Sequence, residues 1–210
     1  MIVYDIDRLR AAVSQRLPEK RLAHVLSVEE QCARLARLVL PQETLRLRTA
    51  ALLHDITKNI PDTEQAALCD RLGISITPAE RAAPPILHAR SGAEVAVRDF
   101  PEYADEGIRR AIALHTTGAV GMTLFERVLM VADFSEPRRE WERCRMIGRE
   151  IAAIPASASL SLRRALFDRA FLHMLMVKYE YIGTTGTVWH DGTDDMLLYY
   201  KARFSPDKSL

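Results

Sequence analysis

Ala50-Ala51-Leu52-Leu53-His54-Asp55-Ile56-Thr57-Lys58 is the stretch from which the rest of the chain is best read. An apolar run of helical character ends on an adjacent histidine and carboxylate. Burying a charge without a partner is costly. A divalent metal relieves that cost, because imidazole nitrogen and carboxylate oxygen are both ligands of first-row metals. The pair therefore directs the search to other histidines and carboxylates that end or interrupt apolar stripes.

Helical spacing dominates on both sides of this stretch. On the N-terminal side, Ile6, Leu9, Ala12, Val13 and Leu17 share one face of a helix over 5–17, and Pro18 stands where a first helical turn tolerates proline. Leu22, Val25, Val28, Cys32, Leu35, Leu38 and Val39 then recur at intervals of three or four, and 43–56 reads as a shorter helix ending near His54. Beyond the pair, Asp62 with Gln65 has capping-box spacing, Gly73 suits a helix C-terminus, and Thr77-Pro78-Ala79-Glu80 is a second capping pattern. Pro84-Pro85 breaks the chain. Helices are predicted over about 86–99, 104–115, 122–133, 139–153 and 159–181. Only 183–203 reads differently, as an irregular Gly- and Thr-rich tail or a short extended piece. No repeat, low-complexity stretch or linker stands out, so one all-α domain over 1–210 is expected.

Six residues break apolar helical stripes in the way sought. They are His24 in Leu22-Ala23-His24, the pair His54-Asp55, His88 after Pro84-Pro85-Ile86-Leu87, His115 after Ala111-Ile112-Ala113-Leu114, and Asp133 after Val131-Ala132. Four histidines and two aspartates of this kind could converge inside a helical bundle. His173, in Phe171-Leu172-His173-Met174, reads instead as a helix-face or core histidine. Arg143, Arg145 and Arg149 alternate with Glu142 and Glu150 as a solvated face.

Composition narrows the function. The 210 residues carry 29 Lys+Arg against 28 Asp+Glu, a formal net charge of +1, without the basic excess of a bulk nucleic-acid or membrane-surface binder. A local basic pocket for a phosphorylated small molecule remains compatible with that balance. Cys32, Cys69 and Cys144 are too far apart for metal-ligand spacing and read as reduced thiols of a cytoplasmic protein. The N-terminal segment lacks the pattern of a signal peptide, and no uncharged run is long enough to span a bilayer.

The order His24, His54-Asp55, Asp133 resembles the HD-domain metal-dependent phosphohydrolases. More of the chain is similar to one branch of them, the YqeK-like symmetrical dinucleoside-tetraphosphatases. The matching segments are Lys20-Arg21-Leu22-Ala23-His24, Leu52 to Lys58, Pro84 to His88, Gly92-Ala93, Ala111-Ile112-Ala113-Leu114-His115-Thr116-Thr117-Gly118, Met122-Thr123-Leu124, and Ala132-Asp133-Phe134-Ser135-Glu136-Pro137-Arg138-Arg139. They follow the family's order over about 16–140. The sequence departs from the family in its tail, where Trp189-His190-Asp191-Gly192-Thr193 keeps only the His and Thr of the family's pattern.

The resemblance implies an HD-domain helical bundle with two divalent ions per chain, iron first. Mn, Co, Ni and Zn remain alternatives, since histidine and carboxylate suit them all. It implies that His24, His54, Asp55 and Asp133 hold one ion, and that Asp55 bridges to a second completed by His88 and His115. A hydroxide held between two such ions would attack phosphorus in line. Asp55 and Lys58 are the expected catalytic residues. Arg21, His88, His115, Thr116, Arg139 and His190 are the expected substrate contacts, with the arginine fork suited to phosphate. Lys58 would share a face with Asp55 if the helix continued past it. Gly118 would let backbone approach a ligand. The expected reaction is symmetrical cleavage of diadenosine tetraphosphate to two ADP, in the cytoplasm, with no nucleic-acid or membrane partner. A homodimer stays open. Two other readings also stay open at this point: an HD phosphohydrolase acting on another nucleotide, and a low-turnover nucleotide sensor.

Overall fold

A computed structural model describes residues 4–185 and 192–205. Among these residues there are eleven α helices and no strand. They are α1 (Ile6–Ser14), α2 (Glu19–Val39), α3 (Thr44–Leu53), α4 (Asp62–Arg71), α5 (Pro78–Arg81), α6 (Leu87–Asp99), α7 (Glu106–Leu114), α8 (Leu124–Ser135), α9 (Glu142–Ala152), α10 (Leu160–Thr185) and α11 (Thr193–Phe204). Short 3-10 turns at Pro41–Glu43 and Pro84–Ile86 precede α3 and α6.

The centre is α3. Leu47 and Thr49 to Leu53 are all buried, so this helix is enclosed almost all round rather than along one stripe. It packs on α2, α7, α1 and α8. Buried Glu29 of α2 accepts from the Nε and Nη2 of Arg10, each at 2.8 Å, and from the Nε of Arg48 at 2.8 Å. One carboxylate thus ties α1 and α3 to α2. Breaking such a buried pair would strand its charge.

Local signals account for most element ends. Gly73 lies at φ +72° just past α4; the amides of Gly73 and Ile74 donate to Asp70 and Cys69, closing that helix in a Schellman arrangement. Thr77 and Glu80 make the expected capping box of α5. A second box, Thr123 with Glu126, starts α8. The Asp62–Gln65 box does not form: α4 starts after Pro61 with no side-chain cap. Gln65 is buried and donates instead to the Thr57 and Ile60 carbonyls, which the turn after α3 leaves open.

The tail departs from its reading. Helix α10 runs on to Thr185, and Thr193–Phe204 is a helix rather than irregular. Asp194 and Asp195 in its first turn and Lys201 and Arg203 in its last complement the helix dipole. Met196, Leu197 and Tyr200 are buried, and the Tyr200 hydroxyl accepts from the Met122 amide at 2.7 Å. Gly118 lies at φ +74°, a left-handed backbone that favours glycine, and a Cβ there would also meet Met196 Sδ at 2.6 Å. No described helix is long and apolar enough to cross a membrane.

Candidate metal centre

Five elements deliver the six stripe-breaking residues to one place. His24 comes from the second turn of α2 and Asp133 from the end of α8. His88 sits in the first turn of α6, and His115 caps the C-terminus of α7. His54 and Asp55 follow the end of α3. Neighbouring residues of a continuous helix point about a quarter-turn apart. Here α3 stops at Leu53, and the chain continues through tighter i to i+3 bonds, Ile56 N to Leu53 O and Lys58 N to Asp55 O. That change lets both side chains serve one site.

The Asp55 carboxylate divides the cluster into two lobes. Its Oδ2 lies 3.6 Å from the Nε2 atoms of both His24 and His54. Its Oδ1 lies 3.3 Å from His88 Nε2 and 3.7 Å from His115 Nε2. Asp133 Oδ1 joins the first lobe, 3.1 Å from His24 and 3.8 Å from His54. In the second lobe the His88 and His115 Nε2 atoms are 3.3 Å apart. Ligand atoms about 2.1 Å from one ion stand roughly 3.0–3.5 Å from each other, close to these separations.

Each imidazole is turned by its other nitrogen. Nδ1 faces the Ala51 carbonyl in His54 (2.6 Å), the Pro85 carbonyl in His88 (2.7 Å) and the Ile112 carbonyl in His115 (2.7 Å). A carbonyl can only accept, so Nδ1 carries the proton and Nε2 presents its lone pair inward. His24 Nδ1 is 3.1 Å from Glu136 Oε1. Glu136 is itself buried and accepts from the Ser27 hydroxyl and the Arg138 amide, both at 2.6 Å. Glu136 does not break an apolar stripe, so that pattern does not pick it out; its spacing of three from Asp133 is the signal the sequence offers.

The residues fit a metal by an independent observation. His54 Nε2 is buried and has no hydrogen-bond partner, an expensive state for a polar atom. An ion would complete it. The sets His24–His54–Asp133 and His54–Asp55–His115 each bring their ligand atoms within 4.8 Å of one another.

Protonation follows the same geometry. Burial pushes the Asp55 carboxyl up, but His54, His115 and His88 hold it well below the usual range. Burial likewise opposes ionisation of Asp133, and the Arg139 guanidinium with His24 and His54 outweighs it. His115 falls to about 4, mainly through burial, and so offers a neutral ring. His24 rises to about 9: burial lowers it, while hydrogen bonds to Asp133 and Glu136 win.

Cations line the entrance. Arg21 Nη1 donates to Asp55 Oδ2 at 2.7 Å, and Arg139 donates to Asp133 Oδ1 at 2.5 Å and to its carbonyl at 3.0 Å. With Lys20, Asn59 and Arg138 they border a polar cavity of about 440 Å³ opening at His24 and Glu136. Lys58 enters differently from its sequence reading, because the helix does not continue to carry it. Its Nζ donates to the Pro85 carbonyl at 3.0 Å, sharing that acceptor with His88, whose Nδ1 is 3.2 Å away. The Thr116 hydroxyl lies 3.2 Å from His88 Nε2 and 3.1 Å from His115 Nε2. His173 is remote from the cluster and pairs with Glu150 on the surface at 2.7 Å. His190 lies outside the described residues. A larger cleft of about 510 Å³ between α9, α10 and α11 holds none of the six clustered residues.

Three comparisons bear on this centre. The HD domain family matches residues 21–137, which span His24 to Asp133. A protein of Bacillus subtilis (strain 168) named bis(5'-nucleosyl)-tetraphosphatase, symmetrical, is 34% identical over 129 residues, covering 61% of this chain and 68% of its own. One of the same name from Staphylococcus aureus (strain NCTC 8325 / PS 47) is 25% identical over 198 residues, 93% of this chain and 94% of that one. A crystal structure from Clostridium acetobutylicum, described as a predicted HD superfamily hydrolase involved in NAD metabolism, superposes with a TM-score of 0.78. It has 26% identity and covers 94% of this chain and 97% of that one.

Proposed function

The chain belongs to the HD domain family and is a hydrolase, and from that premise we propose that it cleaves dinucleoside tetraphosphates, diadenosine tetraphosphate first among them, symmetrically into two nucleoside diphosphates. The observation that carries the reading is the Asp55 carboxylate, whose two oxygens face two different pairs of histidines. That is the arrangement a two-ion phosphohydrolase requires. The substrate is supported by the names of the curated relatives and by the cationic entrance.

In this reading His24, His54, Asp55 and Asp133 hold one divalent ion. Asp55, His88 and His115 hold the second. When bound, such ions supply Lewis acidity toward phosphoryl oxygens and an activated water at neutral pH. The chain's own side chains do the rest. Arg21 and Arg139, bonded here to Asp55 and Asp133, would turn their guanidinium forks to the polyphosphate when those carboxylates hold ions. Charge growing on the phosphoryl oxygens would then meet these donors. Lys58 acts as a positioning residue: it holds the Pro85 carbonyl, and so the His88 ring, from behind. Glu136 does the same for His24. Thr116 stands where it can donate to a phosphate oxygen beside the second lobe. The buried, unpaired cysteines agree with a cytoplasmic setting.

A second reading, hydrolysis of a different nucleotide anhydride, is favoured by the description of the Clostridium acetobutylicum neighbour. One experiment separates them: metal analysis of protein purified without chelator, paired with chromatography of the products from diadenosine tetraphosphate. Two ions per chain and ADP as sole product are expected. Bound metal with the dinucleotide left intact would overturn the substrate and turn attention to other nucleotides.

A further inference from the structure

Trp141 and Tyr181 are exposed, at 39% and 48%, yet they lie against each other with ring centroids 5.3 Å apart and planes at 58°. Trp141 precedes the first turn of α9, and Tyr181 lies near the end of α10. The Arg143 guanidinium also stands 5.9 Å from the centre of the indole ring, and paired, part-exposed aromatic rings beside a cation are a feature of binding surfaces. Their position is informative. Phe134, the residue after Asp133, backs the indole edge-on at 5.9 Å. Arg139, two residues before Trp141, is bonded to Asp133.

A second line of contacts leads from the other lobe to the same place. The Thr116 hydroxyl touches His88 and His115, and the Thr116 carbonyl accepts from Lys178 Nζ at 2.8 Å. Lys178 Nζ stands 6.0 Å from the centre of the Phe134 ring, which carries Trp141. Lys178 and Tyr181 are one turn apart on α10. A chain of contacts therefore runs from the clustered histidines and Asp133, past Lys178 and Arg139, to a pair of aromatic rings. A nucleotide has the same order of parts: a reacting phosphate, further anionic phosphates, and a flat π-face.

We propose that Trp141 and Tyr181 form a stacking platform for a base of the substrate, with Lys178 and Arg139 carrying the phosphates between the platform and the metal centre. This rests on the nucleotide-hydrolase reading of that centre. Stacking tolerates any base, because every base has a π-face. The platform thus fits a nucleoside polyphosphate without selecting adenine.

The chain has two tryptophans, so Trp189→Phe leaves Trp141 as sole reporter. In the metal-loaded variant, ADP is expected to quench indole emission saturably. Tripolyphosphate, which has no base, is expected to bind without quenching. Calorimetry on Trp141→Leu should show ADP binding weakened about tenfold, within the range for one base–aromatic stack. Tripolyphosphate binding should be unchanged, and Trp141→Phe should recover most of the ADP affinity. ADP bound with no change in emission, or Trp141→Leu losing tripolyphosphate as much as ADP, would overturn the platform. The outcomes part from those for the substrate. If diadenosine tetraphosphate is cleaved but ADP fails to quench, the platform falls alone. If it is not cleaved but ADP quenches Trp141, the platform stands for another nucleotide.

Discussion

At the residue scale Asp55 concentrates the argument, since it is the only clustered carboxylate that faces both lobes. Asp55→Asn keeps the shape and removes the charge. Hydrolysis should fall at least a hundredfold and metal content should drop below one ion per chain; a variant retaining two ions and near-normal turnover would sink the bridging role. His173→Ala, altering a histidine paired only with Glu150 on the surface, should keep both ions. His24 makes a second prediction. Without metal its pKa is raised to about 9, so it is protonated at pH 7 and must lose that proton to ligate. Metal uptake at pH 7 should therefore release about one proton per chain, read from calorimetry in buffers of different ionisation enthalpy. The release should shrink as pH rises past about 9, and a heat independent of buffer would refute it. All six clustered residues were legible in sequence, because a polar residue that interrupts an apolar stripe is conspicuous. Glu136 was not, because a carboxylate beside a proline in a loop looks like ordinary solvated surface until His24 is seen bonded to it.

At the element scale the site depends on how closely α6 approaches the turn after α3. Gly92 lies within α6, where glycine costs about 1 kcal/mol relative to alanine. A Cβ there would meet the His54 carbonyl at 3.3 Å and the Thr57 hydroxyl at 3.4 Å. Thr57 in turn donates to the His88 carbonyl at 3.0 Å and contacts the Ser91 hydroxyl at 2.9 Å. The missing side chain thus sets the spacing between the two lobes. Gly92→Val should cost about 1–3 kcal/mol through overpacking and reduce metal retention more than a surface glycine change such as Gly73→Asn. Unchanged metal content with wild-type thermal stability would show that the approach is not limiting. Helix α11 is hard to read from sequence because its apolar residues do not form a clean stripe and a Gly- and Thr-rich stretch precedes it. Its acidic first turn and basic last turn are the signal that marks it. The Asp62–Gln65 box failed for the opposite reason: the spacing was right, but buried Gln65 met stronger demand from the open carbonyls of Thr57 and Ile60.

At the scale of the whole molecule the centre is a fastening point. Its six clustered side chains come from α2, the turn after α3, α6, α7 and α8, and no two of the four histidines share an element. Helix α10 packs on α2, α8, α9 and α11. Without ions, the buried His54 Nε2 lacks a partner and two arginines are drawn onto the carboxylates. Each ion that binds only this assembled arrangement stabilises it by mass action, about 2.7 kcal/mol at a free concentration one hundred times its Kd. For a chain of this length 1 kcal/mol moves the midpoint by about 2–4 °C. Metal loading should accordingly raise Tm by about 5–11 °C for each ion held, and chelation should reverse it. Asp55→Asn should lose most of the rise, whereas His173→Ala should keep it. A Tm indifferent to metal in the wild-type chain would mean that the six residues hold one another without an ion, and the centre would then be a structural polar core.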